Sequence, residues 1–452
     1  MFKKGLPNLE ECSIGIIGLG YVGLPLALQI ANKKKSLISK KRLKRKVLGF
    51  DIKKNRINQL EKGIDINKIF SKKKIHENKN IVFSNEEKSL KNIDIFIITV
   101  PTPIDIKNNP DLSYLKKASI LVGKSIKDRN KNLSNPIIIY ESTVYPGVTE
   151  EICVPLICAE SGKTYNSKGY KNSFYVGYSP ERINPGDSKH TIDSITKVTS
   201  GCNKKVANWV DNFYGSFISA GTFKTRSIKV AEAAKIIENT QRDINIALIN
   251  ELAILFKKLD INTTQVLEAA DSKWNFQKYT PGLVGGHCIG VDPYYLTFKA
   301  KEIGFNTNLI SAGRSINDSM HKYLLDEILS NLKKRKEFSL KEEVLILGIS
   351  YKSNCGDIRN SQLILLVENF KKIGLKVTIV DPLVERNIVL KETGLKTLTS
   401  IPKKKKYGVI IFALNHRDFQ KVNKKLLSKI SFKDTLIIDL TNKLSGLNIV
   451  NL

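Results

Sequence analysis

Cys288 stands between Gly285-Gly286-His287 and Ile289-Gly290-Val291-Asp292-Pro293. Glycines around it let the backbone bend and let a ligand come close, so the thiol is reachable as a nucleophile. Asp292-Pro293 reads as a helix N-cap followed by proline at the first helical position, with the helix running through Leu296, Phe298 and Ile303. A lone cysteine more commonly ends as a small buried hydrophobe, so chemistry here needs support from the rest of the chain. Lys235 and Asn239 lie four apart in a stretch, 228–258, without glycine or proline, and therefore share one face of a long helix. Alone they read as a solvated lysine and a surface asparagine. With Glu232, Arg242 and Asn250 they form a polar stripe beside an apolar one made of Ala234, Ile237, Ile244 and Leu248. A long central helix of this kind suits joining domains and carrying a dimer contact.

A third group of residues could hold a phosphate. Residues 13–20, SIGIIGLG, are an apolar run that leads into Gly18-x-Gly20-x-x-Gly23, with Tyr21 and Val22 inside the motif and a helix-like LPLALQIA after it. Strand, spaced glycines and helix make the dinucleotide-binding fingerprint. The first glycine makes the tight turn, the second lets a pyrophosphate near the backbone, and the third lets helix and strand pack. The helix N-terminus offers its free N–H groups to the phosphates. The next strand ends in Asp51, the position that takes the ribose hydroxyls of NAD and disfavours the extra phosphate of NADP. Asp51 lies 28 residues after Gly23, against about 20 in the usual spacing. The excess falls in 32–46, NKKKSLISKKRLKRK, which reads as a lengthened, solvated connection with nine basic residues and no acid.

These groups need a scaffold. Strand-like runs at 81–84, 93–100 and 136–142 continue the first sheet, and the last two end in the loops 99–103 and 141–147, where a parallel sheet binds ligands. A strand then runs into FYVGYSPERINPGD (174–187), which carries Glu181. After the 228–258 helix and a second one at 310–332, a new strand–helix alternation starts: strands at 341–352, 375–382, 408–416 and 434–440, and a helix opened by GDIRNS. It lacks the three-glycine motif, so it suits a mononucleotide, with Lys352 and Arg359 as phosphate candidates. The expected fold class is α/β: two Rossmann-like, doubly wound parallel-sheet domains joined by a long central helix. The expected domains are 1–205, 206–335 and 336–452.

Composition narrows the function. With 452 residues and 41% hydrophobic content the chain suits two or three soluble domains. It has no run of about 18 uncharged apolar residues, so no membrane insertion is expected. Nor does the start read as a secretory signal. Six scattered cysteines without a Cys-x-x-Cys pair argue against disulfides and a metal site, and for a reducing cytoplasm. The net charge of +31 comes mostly from lysines spread over nearly every segment. That distribution is unlike a phosphate track, so nucleic acid is not the expected partner.

Taken together, GLGYVGLPLA, TVPTP, ESTVYPG, GYSPERINPGD, AEAAKIIENT, GGHCIGVDPYYL and VLILGISYK-x-x-x-GDIRNS resemble the UDP-glucose/GDP-mannose dehydrogenase family over about residues 10–445. SPERINPGD and PGLVGGHCIGVDPYYLT resemble its UDP-N-acetylhexosamine 6-dehydrogenases of O-antigen and capsule pathways, the Vi-antigen type. The UDP-glucose branch usually has an acid where this chain has Pro185, which favours an N-acetylated sugar. The resemblance implies two NAD-dependent oxidations of a C6 alcohol to a carboxylate. Their chemistry needs a nucleophile: an aldehyde has no second hydride to give until a thiolate adds to it. By the resemblance Cys288 is that nucleophile, and Thr143 and Glu181 position the water. Lys235 and Asn239 stabilise oxyanions at C6, and Asp292 assists proton transfer. Lys235 and His287 are the cations that could lower the thiol's pKa. NAD would meet Gly18, Gly20, Tyr21, Val22 and Gly23, Asp51 and Arg56 at the adenosine end, and Thr102, Thr143 and Arg359. The UDP-sugar would meet Glu181, Arg182, Lys235, Asn239, Gly285 and Lys352. The expected assembly is a homodimer or a higher homo-oligomer. UDP-GlcNAc and UDP-GalNAc are left undivided, because the contact to one hydroxyl comes from loops. The alternatives are a UDP-ManNAc or UDP-glucose dehydrogenase, a single-step hydroxyacid dehydrogenase with no use for Cys288, and a basic nucleic-acid-binding protein.

Overall fold

Uninterrupted apolar runs such as Ile95–Ile98 (IFII), Ile137–Tyr140 (IIIY) and Tyr407–Phe412 (YGVIIF) are buried along their whole length, as strands of a parallel sheet covered on both faces must be. The computed structural model describes residues 5–66, 70–78, 80–130, 132–167, 172–183, 191–335, 342–441, 443–444 and 449–451. They divide into two compact units, Met1–Ile237 with Tyr294–Lys299, and Glu238–Pro293 with Ala300–Leu452.

In the first unit the strands are β1 (Ser13–Ile17), β2 (Lys46–Phe50), β3 (Ile81–Ser84), β4 (Ile95–Ile98), β5 (Ile137–Tyr140), β6 (Thr164–Tyr165), β7 (Ser173–Tyr178), β8 (Lys197–Gly201) and β9 (Thr222–Lys224). Their order is β3-β2-β1-β4-β5-β7-β8-β9, with β6 beside β7. All pairs are parallel except β7 with β8. The strands expected at 93–100 and 136–142 are shorter than expected, four residues each, and the residues after them form the loops at the sheet's carboxyl edge. Because β4 and β5 are neighbours, these loops touch: the Thr102 hydroxyl donates to the Thr143 carbonyl at 2.7 Å.

The basic 32–46 segment is more than a solvated connection. Lys35 and Arg42 pair across a small antiparallel hairpin whose lysines lie at the surface. Arg45, in contrast, is 5% exposed. Its Nη2 donates to the Leu9 carbonyl at 2.7 Å and to Ser216 Oγ at 2.9 Å, and its guanidinium lies 4.8 Å from the centre of the Phe213 ring.

The long helix Ile228–Lys258 starts in the first unit and ends in the second. Its polarity is the reverse of a solvated polar stripe. Glu232 and Asn250 are fully buried and Lys235 is 7% exposed, while Ile237 and Leu248 are 55% and 52% exposed. Arg242 alone of the stripe is exposed. Burial is tolerated where the polar atoms are bonded: Glu232 accepts the Gly147 and Thr149 N–H groups at 2.6 and 3.0 Å.

The second unit holds β10 (Glu343–Leu347), β11 (Lys376–Val380), β12 (Thr397–Leu398), β13 (Tyr407–Phe412), β14 (Ser431–Asp439) and β15 (Ile449–Asn451), all parallel in the order β12-β11-β10-β13-β14-β15. Val344 and Ile346 enter one apolar cluster and Leu345 and Leu347 another, one on each face. The fold class is the expected one. Among the described residues no helix is long and apolar enough to cross a membrane.

Two of the fingerprint glycines differ in what a side chain would meet. A Cβ on Gly23 would lie 1.8 Å from the Gly18 carbonyl, whereas one on Gly20 would have nothing within 4 Å. Gly23→Ala is expected to cost about 1–3 kcal/mol by overpacking, read as a lower urea midpoint, and Gly20→Ala to leave the midpoint in place. Equal losses in both variants would contradict this reading.

Candidate active site

The first unit builds a phosphate cradle from backbone. Gly18 has φ +94°, a conformation that favours glycine. Its N–H donates to the Phe50 carbonyl at 2.8 Å, and the Leu19 N–H donates to Asp51 Oδ2 at 2.9 Å. The open space over Gly20 and the first turn of helix Gly23–Asn32, which has neither a side-chain cap nor an acidic residue, fit the pyrophosphate of NAD. Tyr21 and Val22 are half-buried beside it. Asp51 is held at the end of β2 by Leu19 and by the Lys53 N–H at 2.9 Å. Arg56 is 6% exposed and works inside the fold, where Nε donates to the Leu19 carbonyl and Nη2 to Asp65, both at 3.0 Å. It therefore supports the turn. Thr102 is tied to the Thr143 carbonyl, and its own carbonyl accepts the Tyr295 hydroxyl at 2.6 Å.

Glu181 lies deeper in the same unit. Its Oε1 accepts the Arg182 and Ile183 N–H groups at 2.6 and 2.9 Å, and its Oε2 accepts Lys197 Nζ at 2.9 Å. Lys197 also donates to Glu141 at 2.8 Å, and Glu141 accepts the Tyr214 hydroxyl. Burial pushes the Glu141 carboxyl up, against the pull of Lys197. Burial works to lower the Lys197 ammonium, but the two carboxylates outweigh it and raise it. Neither Lys197 nor Glu141 stands out in the sequence. Pro185 and the rest of 184–190 lie outside the described residues.

In the second unit the cysteine loop is pinned by its backbone. Asn250 donates to the Gly282 carbonyl at 3.0 Å and accepts the Gly282 N–H at 2.8 Å. Gln362 Nε2 donates to the Val284 carbonyl at 2.8 Å. Gly286 donates to the Arg359 carbonyl and accepts Asn360 Nδ2, both at 3.1 Å. A Cβ on Gly285 would lie 2.8 Å from the Asn360 carbonyl, and one on Gly286, at φ +84°, 2.7 Å from the Tyr351 ring. Cys288 comes next but one, half-buried, and its carbonyl accepts the Val291 and Asp292 N–H groups as the chain enters helix Asp292–Glu302.

Asp292 is the first helical residue, and Val291 holds the cap position; the expected cap is displaced by one. Its carboxylate faces inward instead, 1% exposed, and accepts Asn239 Nδ2 at 2.6 Å. Ile303, expected within this helix, lies past its end and is 71% exposed. Arg359 is held by Asp357, to which its Nε donates at 3.0 Å, and its Nη2 is 3.2 Å from His287 Nδ1. Burial alone would raise the Asp357 carboxyl, but Arg359 beside it holds it below the usual carboxylate range. Lys352 lies 5.5 Å from the centre of the Tyr351 ring. Lys235 is buried in the part of the long helix that belongs to the first unit.

The second unit also repeats the first unit's turn. Gly348, at φ +97°, donates to the Val380 carbonyl at 2.8 Å, and the Ile349 N–H donates to Asp381 Oδ2 at 2.9 Å. Asp381 lies 33 residues after Gly348, the same spacing as from Gly18 to Asp51. Here the acid is fully buried, with His416 Nε2 3.3 Å from it, while His416 Nδ1 accepts the Asn354 N–H at 2.9 Å. Nε2 therefore carries the proton. The equal spacing is the sequence signal for Asp381; His416, far along the chain, gives none.

Comparison with known proteins agrees with this arrangement. Residues 12–218, 229–319 and 345–446 match the NAD binding, central and UDP binding domains of the UDP-glucose/GDP-mannose dehydrogenase family. The chain is 47% identical over 415 residues to a UDP-N-acetyl-D-glucosamine 6-dehydrogenase of Salmonella typhi, covering 92% of each chain. It is 48% identical over 413 residues to Protein CapL of Staphylococcus aureus, covering 91% of this chain and 92% of that one. Among solved structures, a UDP-D-ManNAc dehydrogenase from Pyrococcus horikoshii superimposes with a TM-score of 0.82 at 29% identity, over 97% of this chain and 98% of the other.

Of the six cysteines, Cys12, Cys153 and Cys355 are buried and Cys158, Cys202 and Cys288 are half-buried. Burial pushes Cys12 and Cys153 up to about 12 and Cys202 up to about 11. Only the thiolate alkylates appreciably. Near neutral pH iodoacetamide should therefore label the half-buried Cys288 at least about tenfold faster than Cys12 or Cys153, as read by peptide mass spectrometry. Labelling of Cys288 as slow as that of Cys153 would contradict the placement of a reachable thiol.

Proposed function

The chain belongs to the UDP-glucose/GDP-mannose dehydrogenase family, and from that premise we propose that it oxidises the C6 alcohol of a UDP-N-acetylhexosamine, UDP-GlcNAc or UDP-GalNAc, to the uronic acid for a surface polysaccharide. The observation that carries the reading is the cysteine loop, whose backbone is bonded to Asn250, Arg359, Asn360 and Gln362. Such a loop presents a thiol in a fixed place, as covalent catalysis requires. The name and 47% identity of the Salmonella typhi relative support the N-acetylglucosamine side of the choice.

NAD, when bound in the glycine cradle, supplies the hydride acceptor for both oxidations. The residues of this chain do the rest. Once the alcohol is an aldehyde, Cys288 as thiolate adds to C6, the resulting oxyanion takes a proton from solvent, and a thiohemiacetal forms. Loss of its C6 hydride and hydroxyl proton leaves a thioester. Water then attacks C6 as one of its protons passes to Glu181. The C6–S bond breaks, the thiolate leaves, and the carboxylic acid loses its remaining proton to solvent. Thr143 orients that water with Glu181. Asn239 gives one amide N–H to Asp292, which fixes the amide plane, and we assign the other, with Lys235, to the oxyanion at C6. We assign Lys352, Arg182 and the Gly285 backbone to the sugar nucleotide, and Arg359 to the cofactor pyrophosphate. The reading includes a cytoplasmic location, in keeping with six scattered cysteines and no Cys-x-x-Cys pair. It also includes a second copy of the chain packed on Leu248 and Leu255, which are 52% and 47% exposed.

Four substrates tested separately decide the sugar: UDP-GlcNAc, UDP-GalNAc, UDP-ManNAc and UDP-glucose. One of the first two should exceed UDP-glucose in kcat/KM by more than about tenfold. Lys235→Met and Asn239→Ala should each lower kcat by about 10²–10³-fold with a smaller change in KM. A preference for UDP-ManNAc or UDP-glucose would contradict the substrate assignment.

A further inference from the structure

Lys197, Glu141 and Glu181 form a buried ionic group that the catalytic steps do not use as a whole. Lys197 is 3% exposed, Glu141 2% and Glu181 8%. One ammonium stands between two carboxylates, at 2.8 Å from Glu141 and 2.9 Å from Glu181. Two carboxylates around one cation leave a net negative charge away from water, which is costly unless one of them holds a proton.

The geometry points to which one. Glu181 accepts two backbone N–H groups on Oε1 and the ammonium on Oε2, a bonding pattern that favours the ionised form. Glu141 accepts Lys197 and the Tyr214 hydroxyl, with no backbone donor among the described residues. The groups that face the pair come from three elements: Lys197 from β8, Tyr214 from helix Lys204–Gly215, and Arg182 beside Glu181, which turns its Nη1 to the Thr196 carbonyl at 3.2 Å. Lys197 Nζ lies 5.3 Å from the centre of the Tyr214 ring.

We propose that Lys197 is a positioning residue that keeps Glu181 ionised and fixed for water activation, while Glu141 takes the proton that the buried pair must share. This rests on the reading of Glu181 as the water-directed carboxylate. Burial pushing Glu141 up agrees with the division. Two carboxylates kept apart in protonation by their surroundings are a common way to have a base ready at neutral pH.

The test is the pH dependence of kcat in Lys197→Met and Glu141→Gln, with Lys197→Arg as the conservative variant and Glu181→Gln alongside. Without the ammonium the two carboxylates share one proton, so the acid limb of Lys197→Met should move up by about one pH unit or more. Its kcat near neutral pH should fall by about 10²-fold, with KM for the sugar nucleotide changed far less. In Glu141→Gln a neutral amide stands where the protonated carboxyl stood, and the acid limb should stay at its wild-type place. Lys197→Arg should return the limb towards its wild-type place. NAD titration and melting show that each variant is folded. Melting also gives a reading independent of turnover: the gap between wild type and Lys197→Met should widen from about pH 5 to about pH 8, because stability is lost as pH rises through the raised pKa of an unpaired carboxylate. An acid limb that stays in place in Lys197→Met, one that moves by a pH unit in Glu141→Gln, or a melting gap indifferent to pH overturns the proposal. Undiminished kcat in Glu181→Gln overturns the functional reading and the role of Lys197 with it.

Discussion

Gly285 and Gly286 leave no room for a side chain, and the position of Cys288 depends on that. The backbone of this pair lies against Tyr351 and Asn360 so closely that a Cβ would sit 2.7–2.8 Å from them. Contact at that range lets Gly286 exchange hydrogen bonds with Arg359 and Asn360. A thiol so near this anchor stands on a backbone with little freedom, which is what a nucleophile would need if its attack were to be effectively unimolecular. The surrounding polar residues serve the same end. Asn250 and Gln362 hold the approach to the loop, and Asp292, just after it, is bonded to Asn239.

The two nucleotide-type folds share one turn and use it differently. In each, a glycine with positive φ ends the first strand and an acid 33 residues later accepts the next N–H. In the first unit the space over Gly20 is open and Asp51 is half-buried, which leaves a cradle for a dinucleotide. In the second, Ser350 stands in place of Gly20 and Asp381 is closed in by His416. The acid that is half-buried beside the cradle in one fold is an internal strut in the other. This is the physical content of a second domain that resembles the first and lacks its fingerprint.

Local features are legible in the sequence. The glycine turn, the apolar strands and the helix at 228–258 each depend on neighbours within a few residues. The long helix shows where such reading stops. Its period separates a polar stripe from an apolar one, but period does not say which stripe is buried. Glu232 and Asn250 are inside because Gly147, Thr149, Gly282 and Asn317 satisfy them, and those partners lie 32–85 residues away. The same limit hides Lys197, whose partners Glu141 and Glu181 are 56 and 16 residues distant. It hides the pairing of Asp381 with His416, 35 residues apart. Asp292 reads as a cap because Asp-Pro commonly starts helices; a half-buried amide donor on another helix, Asn239, claims its carboxylate instead. Arg56 reads as a cofactor residue, but its guanidinium is bonded to Leu19 and Asp65.

The central claim is that Cys288 carries a four-electron oxidation, and counting NADH formed per UDP-N-acetylhexosamine consumed tests it most directly. Two NADH per sugar from the wild type, with no uronic acid formed by Cys288→Ser, are expected, because an aldehyde yields its second hydride only after a nucleophile has added. One NADH per sugar, or a Cys288→Ser variant that still forms two, would contradict it.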